Sequence, residues 1–290
     1  MPASIQRDAA PIFVGKDKPL TGKNIRLNKL FSEGNNAVVV AVDHGEFDGP
    51  LPGMIDLPGV VRKIDACVDA VLLSPGMLQH CGHAFSHKGA PIPIVRLNWS
   101  SHFCFHWNYE KGIAVPAMSP AEAVAAGAEI VLVCLTLKTD SEAIDAANVE
   151  VFCKLAAEAK QLGLPVVGEC FPARPDRLSP DELHSQIYVG CRILAELGAD
   201  LVKTFYTNRF SEVTGSCPIP ILGLGAEKTP KQIQALELAE RIVQGGGNGV
   251  VFGRNAIQVS DPAAFQRALA EVVKNGAAPA QAASQFGLRD

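Results

Sequence analysis

Eight short apolar runs rich in β-branched residues recur along the chain, at 37–42, 70–74, 93–97, 129–135, 165–170, 199–205, 218–222 and 249–252. Several are continuously apolar rather than alternating, which is the pattern of strands covered on both faces, as parallel strands in α/β proteins are. Between them lie amphipathic or alanine-rich stretches with a helical period, clearest at 142–162, 180–197, 230–244 and 262–274. Proline or serine opens several of these, as at Ser179-Pro180, and glycine closes several, as at Gly163 and Gly198; these are helix start and stop signals. Eight strands alternating with helices predict an α/β protein of the (β/α)8 TIM-barrel class, a single domain with an N-terminal arm. An open doubly wound sheet fits less well, because the first strand runs into Val42-Asp43-His44-Gly45 rather than a glycine fingerprint. The expected division is an arm or cap over 1–35, the barrel over 36–274 and a small-residue tail over 275–290.

The sixth run contains a lysine. Lys203 stands in Gly-Ala-Asp-Leu-Val-Lys-Thr-Phe-Tyr, residues 198–206, where an amine leaving bulk water is costly unless it is neutral or paired. A neutral lysine amine attacks carbonyls to form a Schiff base. The plain alternative is a strand lysine that reaches back to water or pairs with Asp200.

A barrel of this type works at the C-terminal ends of its strands. The successive runs deliver to that rim Asp43 and His44; Ser74; Arg96 and Asn98; Thr136 and Lys138; Glu169; Lys203; Gly223-Leu224-Gly225-Ala226; and Gly253-Arg254-Asn255. Glycines after the last two strands let backbone N–H groups approach an anion, and Arg254 adds a charged fork, so phosphate is the expected ligand there. The opposing reading is a pair of tight turns with a surface arginine. Asp43 and His44 are candidates for orienting hydroxyls or moving protons, or else Asp43 is an ordinary turn aspartate. Glu169 faces the rim if its strand alternates, and is otherwise a surface glutamate.

With 290 residues, 48% hydrophobic and 19% charged, the chain has the composition of a globular protein with a large core. A net charge of −4 with dispersed basic residues argues against a nucleic-acid partner. No apolar run approaches the roughly 20 residues of a membrane-spanning helix, and residues 1–11 lack the apolar stretch of a secretory signal, so a cytoplasmic location without membrane association is expected. Eight cysteines at irregular spacing, with no C-x-x-C pair, read as reduced core thiols. Histidines 80, 83, 87, 102 and 106 have spacings that metal sites use. No ordered carboxylates accompany them and their segment is loop-like, so structural or exposed histidines are expected and no metal is assigned.

Four motifs fall in one order: Ala41-Val42-Asp43-His44-Gly45 followed by Gly49-Pro50; Ala199-Asp200-Leu201-Val202-Lys203-Thr204-Phe205-Tyr206; Gly225-Ala226-Glu227-Lys228-Thr229-Pro230; and Gly253-Arg254-Asn255-Ala256-Ile257-Gln258. Together they resemble the DeoC/FbaB aldolase family, in particular archaeal-type class I fructose-bisphosphate aldolases and the related thiolase of autoinducer-2 breakdown. The resemblance runs from about residue 24 to 274. It implies a (β/α)8 barrel, a Schiff-base lysine at Lys203, and an acidic residue at Asp43 for substrate alignment or proton transfer. It also implies phosphate held by the backbone at Gly225, Ala226 and Gly253 with charge from Arg254, no cofactor, and a homo-oligomer, often a decamer.

The sequence departs from that family at two places. Class I fructose-bisphosphate aldolases of this type carry Trp-x-Tyr-Pro at the end of the fifth strand, where this chain has Glu169-Cys170-Phe171-Pro172. Phe171 is no acid or base, so either Glu169, His44 or another group moves the proton, or the reaction differs. Ala226 stands where the phosphate loop usually has glycine. The leading expectation is a class I aldolase acting on a phosphorylated ketose. The alternatives are a thiolase-type acyl transfer from a phosphorylated diketone to coenzyme A, a metal-dependent barrel enzyme using the histidines, and a non-catalytic phosphosugar-binding barrel.

Overall fold

The computed structural model describes residues 22–289, so most of the expected N-terminal arm lies outside the described residues. The described residues contain ten strands: β1 (Ala37–Ala41), β2 (Ala70–Leu73), β3 (Ile92–Arg96), β4 (Asn98–Ser100), β5 (Ala114–Pro116), β6 (Ile130–Leu135), β7 (Val166–Cys170), β8 (Leu201–Thr204), β9 (Ile221–Leu224) and β10 (Gly249–Phe252). Eight close a parallel barrel in the order β1-β10-β9-β8-β7-β6-β3-β2. The other two, β4 and β5, form an antiparallel hairpin over the C-terminal mouth, with Trp99 opposite Val115.

Successive strand residues point to opposite faces, and that alternation splits the core in two. Val39, Leu72, Ile94, Leu132, Val167, Leu201, Leu222 and Val251 pack against one another inside the barrel. Their strand neighbours Val38, Val71, Val95, Val131, Val166, Val202, Ile221 and Val250 pack outward under the helices. Both faces are apolar, which is why the runs read as continuous.

The helix Gly22–Leu30 contributes Leu27 and Leu30 to the interior cluster and so closes the barrel floor. It is tied down by Lys23 to Asp200 at 2.8 Å, Lys29 to Glu129 at 2.7 Å, and Arg26 donating to the Gly163 carbonyl at 3.0 Å. Asp200 is therefore the partner of Lys23 and not of Lys203.

The run expected at 218–222 forms β9 only from Ile221 to Leu224, because proline at 218 and 220 removes two backbone donors. Gly223 in it lets helix Gln232–Gln244 come close: a Cβ there would lie 2.5 Å from the Ile242 side chain. The expected tail includes a helix, Pro279–Gln285, with Ala282 buried. All eight cysteines are free thiols and six are buried. Among the described residues, no helix is long and apolar enough to cross a membrane.

Candidate active site

The interior alternation continues upward from the apolar floor. Above Ile94 comes Arg96, above Val167 comes Glu169, and above Leu201 comes Lys203, so two-residue steps turn an apolar column into a charged one. The register pairs Glu169 of β7 directly with Lys203 of β8. Asp43 follows β1 and enters the same layer.

These four side chains form one buried chain of charge. Lys203 is 7% exposed, Asp43 4%, and Arg96 and Glu169 1% each. Lys203 Nζ lies 2.5 Å from Glu169 Oε1, Glu169 Oε2 lies 2.7 Å from an Arg96 terminal nitrogen, and Arg96 Nε donates to Asp43 Oδ2 at 2.8 Å. The Arg96–Glu169 contact is an ion pair whose alignment falls short of a hydrogen bond. Two cations and two carboxylates thus compensate one another, the condition under which buried charge is tolerated.

Burial alone would raise the pKa of both acids. The guanidinium of Arg96 and the ammonium of Lys203 outweigh it, holding Asp43 down at about 2 and Glu169 below the usual carboxylate range.

His44 is half-buried beside this chain, its Nδ1 3.9 Å from Asp43 Oδ1. Its ring lies against the backbone of Gly253, where a Cβ would come within 2.3 Å of Cε1, so only glycine fits. Burial, reinforced by Lys203, Arg254 and Arg96 against the pull of Asp43, lowers its pKa to about 4, which makes it a neutral imidazole at physiological pH.

The β9 and β10 loops meet beside His44. Arg254 donates to the Ala226 carbonyl at 3.2 Å, while its Nε is buried without a partner. Ala226 adopts the left-handed conformation, φ 51°, that glycine takes more easily. Asn255 fastens this loop by donating to the carbonyls of Gly225 and Glu227, both at 2.9 Å, and accepting from the Thr229 N–H at 2.8 Å. One expectation is corrected here: the Gly225 N–H already donates to the Val251 carbonyl at 3.2 Å. Gly225 serves close packing instead, since a Cβ would lie 2.9 Å from the Phe252 ring.

An aromatic wall lines another part of the mouth. Phe171 is 4.4 Å from Phe103, 4.9 Å from Phe205 and 5.3 Å from His102 between ring centroids. Arg96 lies 5.1 Å from the centroid of Phe47 and 5.0 Å from that of Phe103. Buried His102 is held between Ser100 Oγ at 2.8 Å and Thr136 Oγ1 at 3.1 Å, and burial lowers its pKa to about 3 despite the opposing charge of Glu169. Among the described residues, no three histidines, cysteines or carboxylates come together in a group able to hold a metal ion.

The structure therefore brings together all four expected catalytic residues and sets the strand-nine and strand-ten loops beside them. Two further charged residues of this layer were given no role in the sequence. Arg96 was legible, since it continues the same-face series of Ile92 and Ile94. Glu46 carried no signal, because only the turn Gly45–Asp48 carries it to the mouth.

Fold and site define a class of protein, a (β/α)8-barrel enzyme organised around a buried lysine at its C-terminal mouth. The comparisons specify it further: residues 37–259 match the model of the DeoC/LacD family aldolases, and the chain belongs to that family. An uncharacterised aldolase of Saccharolobus solfataricus is 31% identical, the match covering 89% of this chain and 96% of that one. The 3-hydroxy-5-phosphonooxypentane-2,4-dione thiolase of Klebsiella pneumoniae is 28% identical over 87% of this chain and 81% of its own length. A solved archaeal fructose-1,6-bisphosphate aldolase with its catalytic lysine covalently bound to the carbinolamine intermediate superposes with a TM-score of 0.71 at 25% identity, over 86% of this chain and 98% of that one.

Proposed function

We propose that the protein is a class I aldolase that cleaves a phosphorylated ketose through a Schiff base at Lys203. The observation that carries this reading is the buried Lys203–Glu169 contact at the barrel mouth, with Nζ and Oε1 2.5 Å apart. Glu169 is placed to take the ammonium proton, leaving a neutral amine that attacks the ketone; loss of water then gives an iminium that withdraws electrons from the neighbouring carbon–carbon bond. Asp43, held ionised by Arg96, aligns a substrate hydroxyl. His44 offers a neutral ring between the lysine and the loops of β9 and β10. The phosphate is held at Ala226, Gly253 and Arg254, whose buried Nε has no protein partner, so binding energy at the far end orients the reacting carbon.

The test is borohydride reduction in the presence of a panel of phosphorylated ketones that includes dihydroxyacetone phosphate. The expected result is a stable mass increment on the peptide containing Lys203, and none in Lys203→Met. Absence of any adduct in the native enzyme overturns the reading.

Phe171, in place of a tyrosine, and the thiolase relative together support a second reading, acyl transfer from a phosphorylated diketone to coenzyme A. Turnover that requires coenzyme A decides for it. A homo-oligomer is also part of the proposal, supported by the exposed Phe105, Trp107, Tyr109, Ile113 and Val115 of the β4–β5 hairpin region. Light scattering of the purified protein checks this.

A further inference from the structure

The class I reading leaves one chemical task unfilled. Cleavage of a β-hydroxy ketone requires a group that removes the hydroxyl proton and later returns a proton to the enamine carbon. Phe171 has no proton to give. The carboxyls of Asp43 and Glu169 are engaged by cations and held in their ionised form, and the rings of His44 and His102 are held neutral, so each is poorly matched to repeated transfer near neutral pH.

Glu46 differs from all four. It stands on the turn Gly45–Asp48, directly after Asp43 and His44. Both of its carboxyl oxygens are buried and neither has a hydrogen-bond partner. A buried polar group left unsatisfied calls for an explanation; the charged layer faces this one through Arg96, Asp43 and Glu169, and Lys203 lies one partner further on, against Glu169. The residue also lines a cleft of about 530 Å³ together with Ser74, Met54, Met77, Trp99 and Pro50, so it stands between the charged layer of the barrel and a space of substrate size.

We propose that Glu46 is the catalytic acid–base of the carbon–carbon bond step, acting on a substrate hydroxyl presented from this cleft. The proposal rests on the class I reading and supplies the step that reading lacks. Once the iminium has formed at Lys203, the Glu46 carboxylate takes the proton of the β-hydroxyl. The carbon–oxygen bond becomes the carbonyl of a departing aldehyde, the bond between the α and β carbons breaks, and its electron pair passes into the enamine toward the lysine nitrogen. Protonated Glu46 then donates to the α carbon, which restores the iminium. Water hydrolyses that to the product ketone and free Lys203. One β-hydroxy ketone yields one aldehyde and one ketone, with no oxidant or reductant.

The electrostatics agree with this role. Burial raises the Glu46 pKa to about 8; Arg96 opposes the rise while Asp43 and Glu169 add to it. The groups facing it are Arg96 from β3, Asp43 from the end of β1, Glu169 from β7 and Cys104 from the turn after β4. A carboxyl poised near 8 exists in both forms under working conditions, as a two-way proton carrier must.

The test uses dihydroxyacetone phosphate as probe and compares the native enzyme with Glu46→Gln and Glu46→Asp. Two readouts are taken: borohydride trapping at Lys203, and exchange of the ketone's α-hydrogen for deuterium in heavy water. The expected result is trapping in Glu46→Gln at the native level while exchange falls roughly 10²- to 10⁴-fold, with partial recovery in Glu46→Asp. The native exchange rate should also show an ionisation near pH 8 that Glu46→Gln loses. If Glu46→Gln is trapped and exchanges within a few-fold of native, or if it keeps the native pH profile, the role of Glu46 is overturned. If Glu46→Gln proves unstable, the pH profile of the native enzyme decides, and no ionisation near 8 sinks the proposal. Absence of native trapping would instead overturn the class I reading itself.

Discussion

The floor and the mouth of this barrel are built from the same strands at the same two-residue spacing, yet they solve opposite problems. Below, Val39, Leu72, Ile94, Leu132, Val167, Leu201 and Leu222 fill the interior with apolar volume, closed from beneath by Leu27 and Leu30. One step higher, Arg96, Glu169, Lys203 and Asp43 place four charges in nearly complete burial. The floor is stabilised by removing apolar surface from water. The mouth is tolerated only because each charge has an opposite neighbour within 2.8 Å. In the proposed reaction, a lysine beside a carboxylate has somewhere to send its proton when a carbonyl arrives, a service the floor cannot provide.

Arg96→Met should break this contrast most severely. It strips two buried carboxylates of their shared cation, and breaking such a pair costs about 3–5 kcal/mol; denaturant unfolding measures the loss, and trapping at Lys203 should fall with it. Leu222→Ala separates the two layers, because a floor cavity costs about 2–5 kcal/mol while the adduct at Lys203 should still form in folded protein.

Arg254→Ala reaches the rim alone. Under the proposed phosphate role, losing that charged hydrogen bond costs about 1.5–3 kcal/mol, seen as a rise in KM for a phosphorylated substrate and little change in melting temperature.

The smallest effect should have the opposite sign. Glu46 ionises at about 8 in the folded chain, against about 4.5 for an ordinary glutamate. Both states bind the proton below 4.5; between 4.5 and 8 the unfolded chain ionises and the folded one does not, so stability drains away as pH rises through that window. Glu46→Gln removes the drain. The variant should match native at pH 4 and exceed it by about 2 kcal/mol at pH 8, less than the full shift at 1.36 kcal/mol per unit because the residue is only half-buried and the turn can relax to let water solvate the carboxylate.

Much of this is legible in the sequence. The continuous apolar runs predicted a parallel barrel because both strand faces are covered, and Lys203 stood out because an amine in such a run must be neutral or paired. Its partner was not legible. Asp200, the nearest acid in sequence, points away to Lys23, while Glu169 lies 34 residues upstream and becomes a neighbour only through the β7–β8 register. Gly225 looked like an anion donor because glycine permits close approach, but hydrogen bonding across the barrel had already engaged its N–H.

By itself the sequence determined the period and the polarity of each strand, and with them the barrel, the floor and the level at which chemistry begins, because these follow from local alternation and the cost of burying polar groups. Which acid meets which base was decided only in the tertiary structure. Strand closure, shear and one short turn after β1 set those distances, and a Coulomb interaction between side chains far apart in the chain leaves no trace in local pattern.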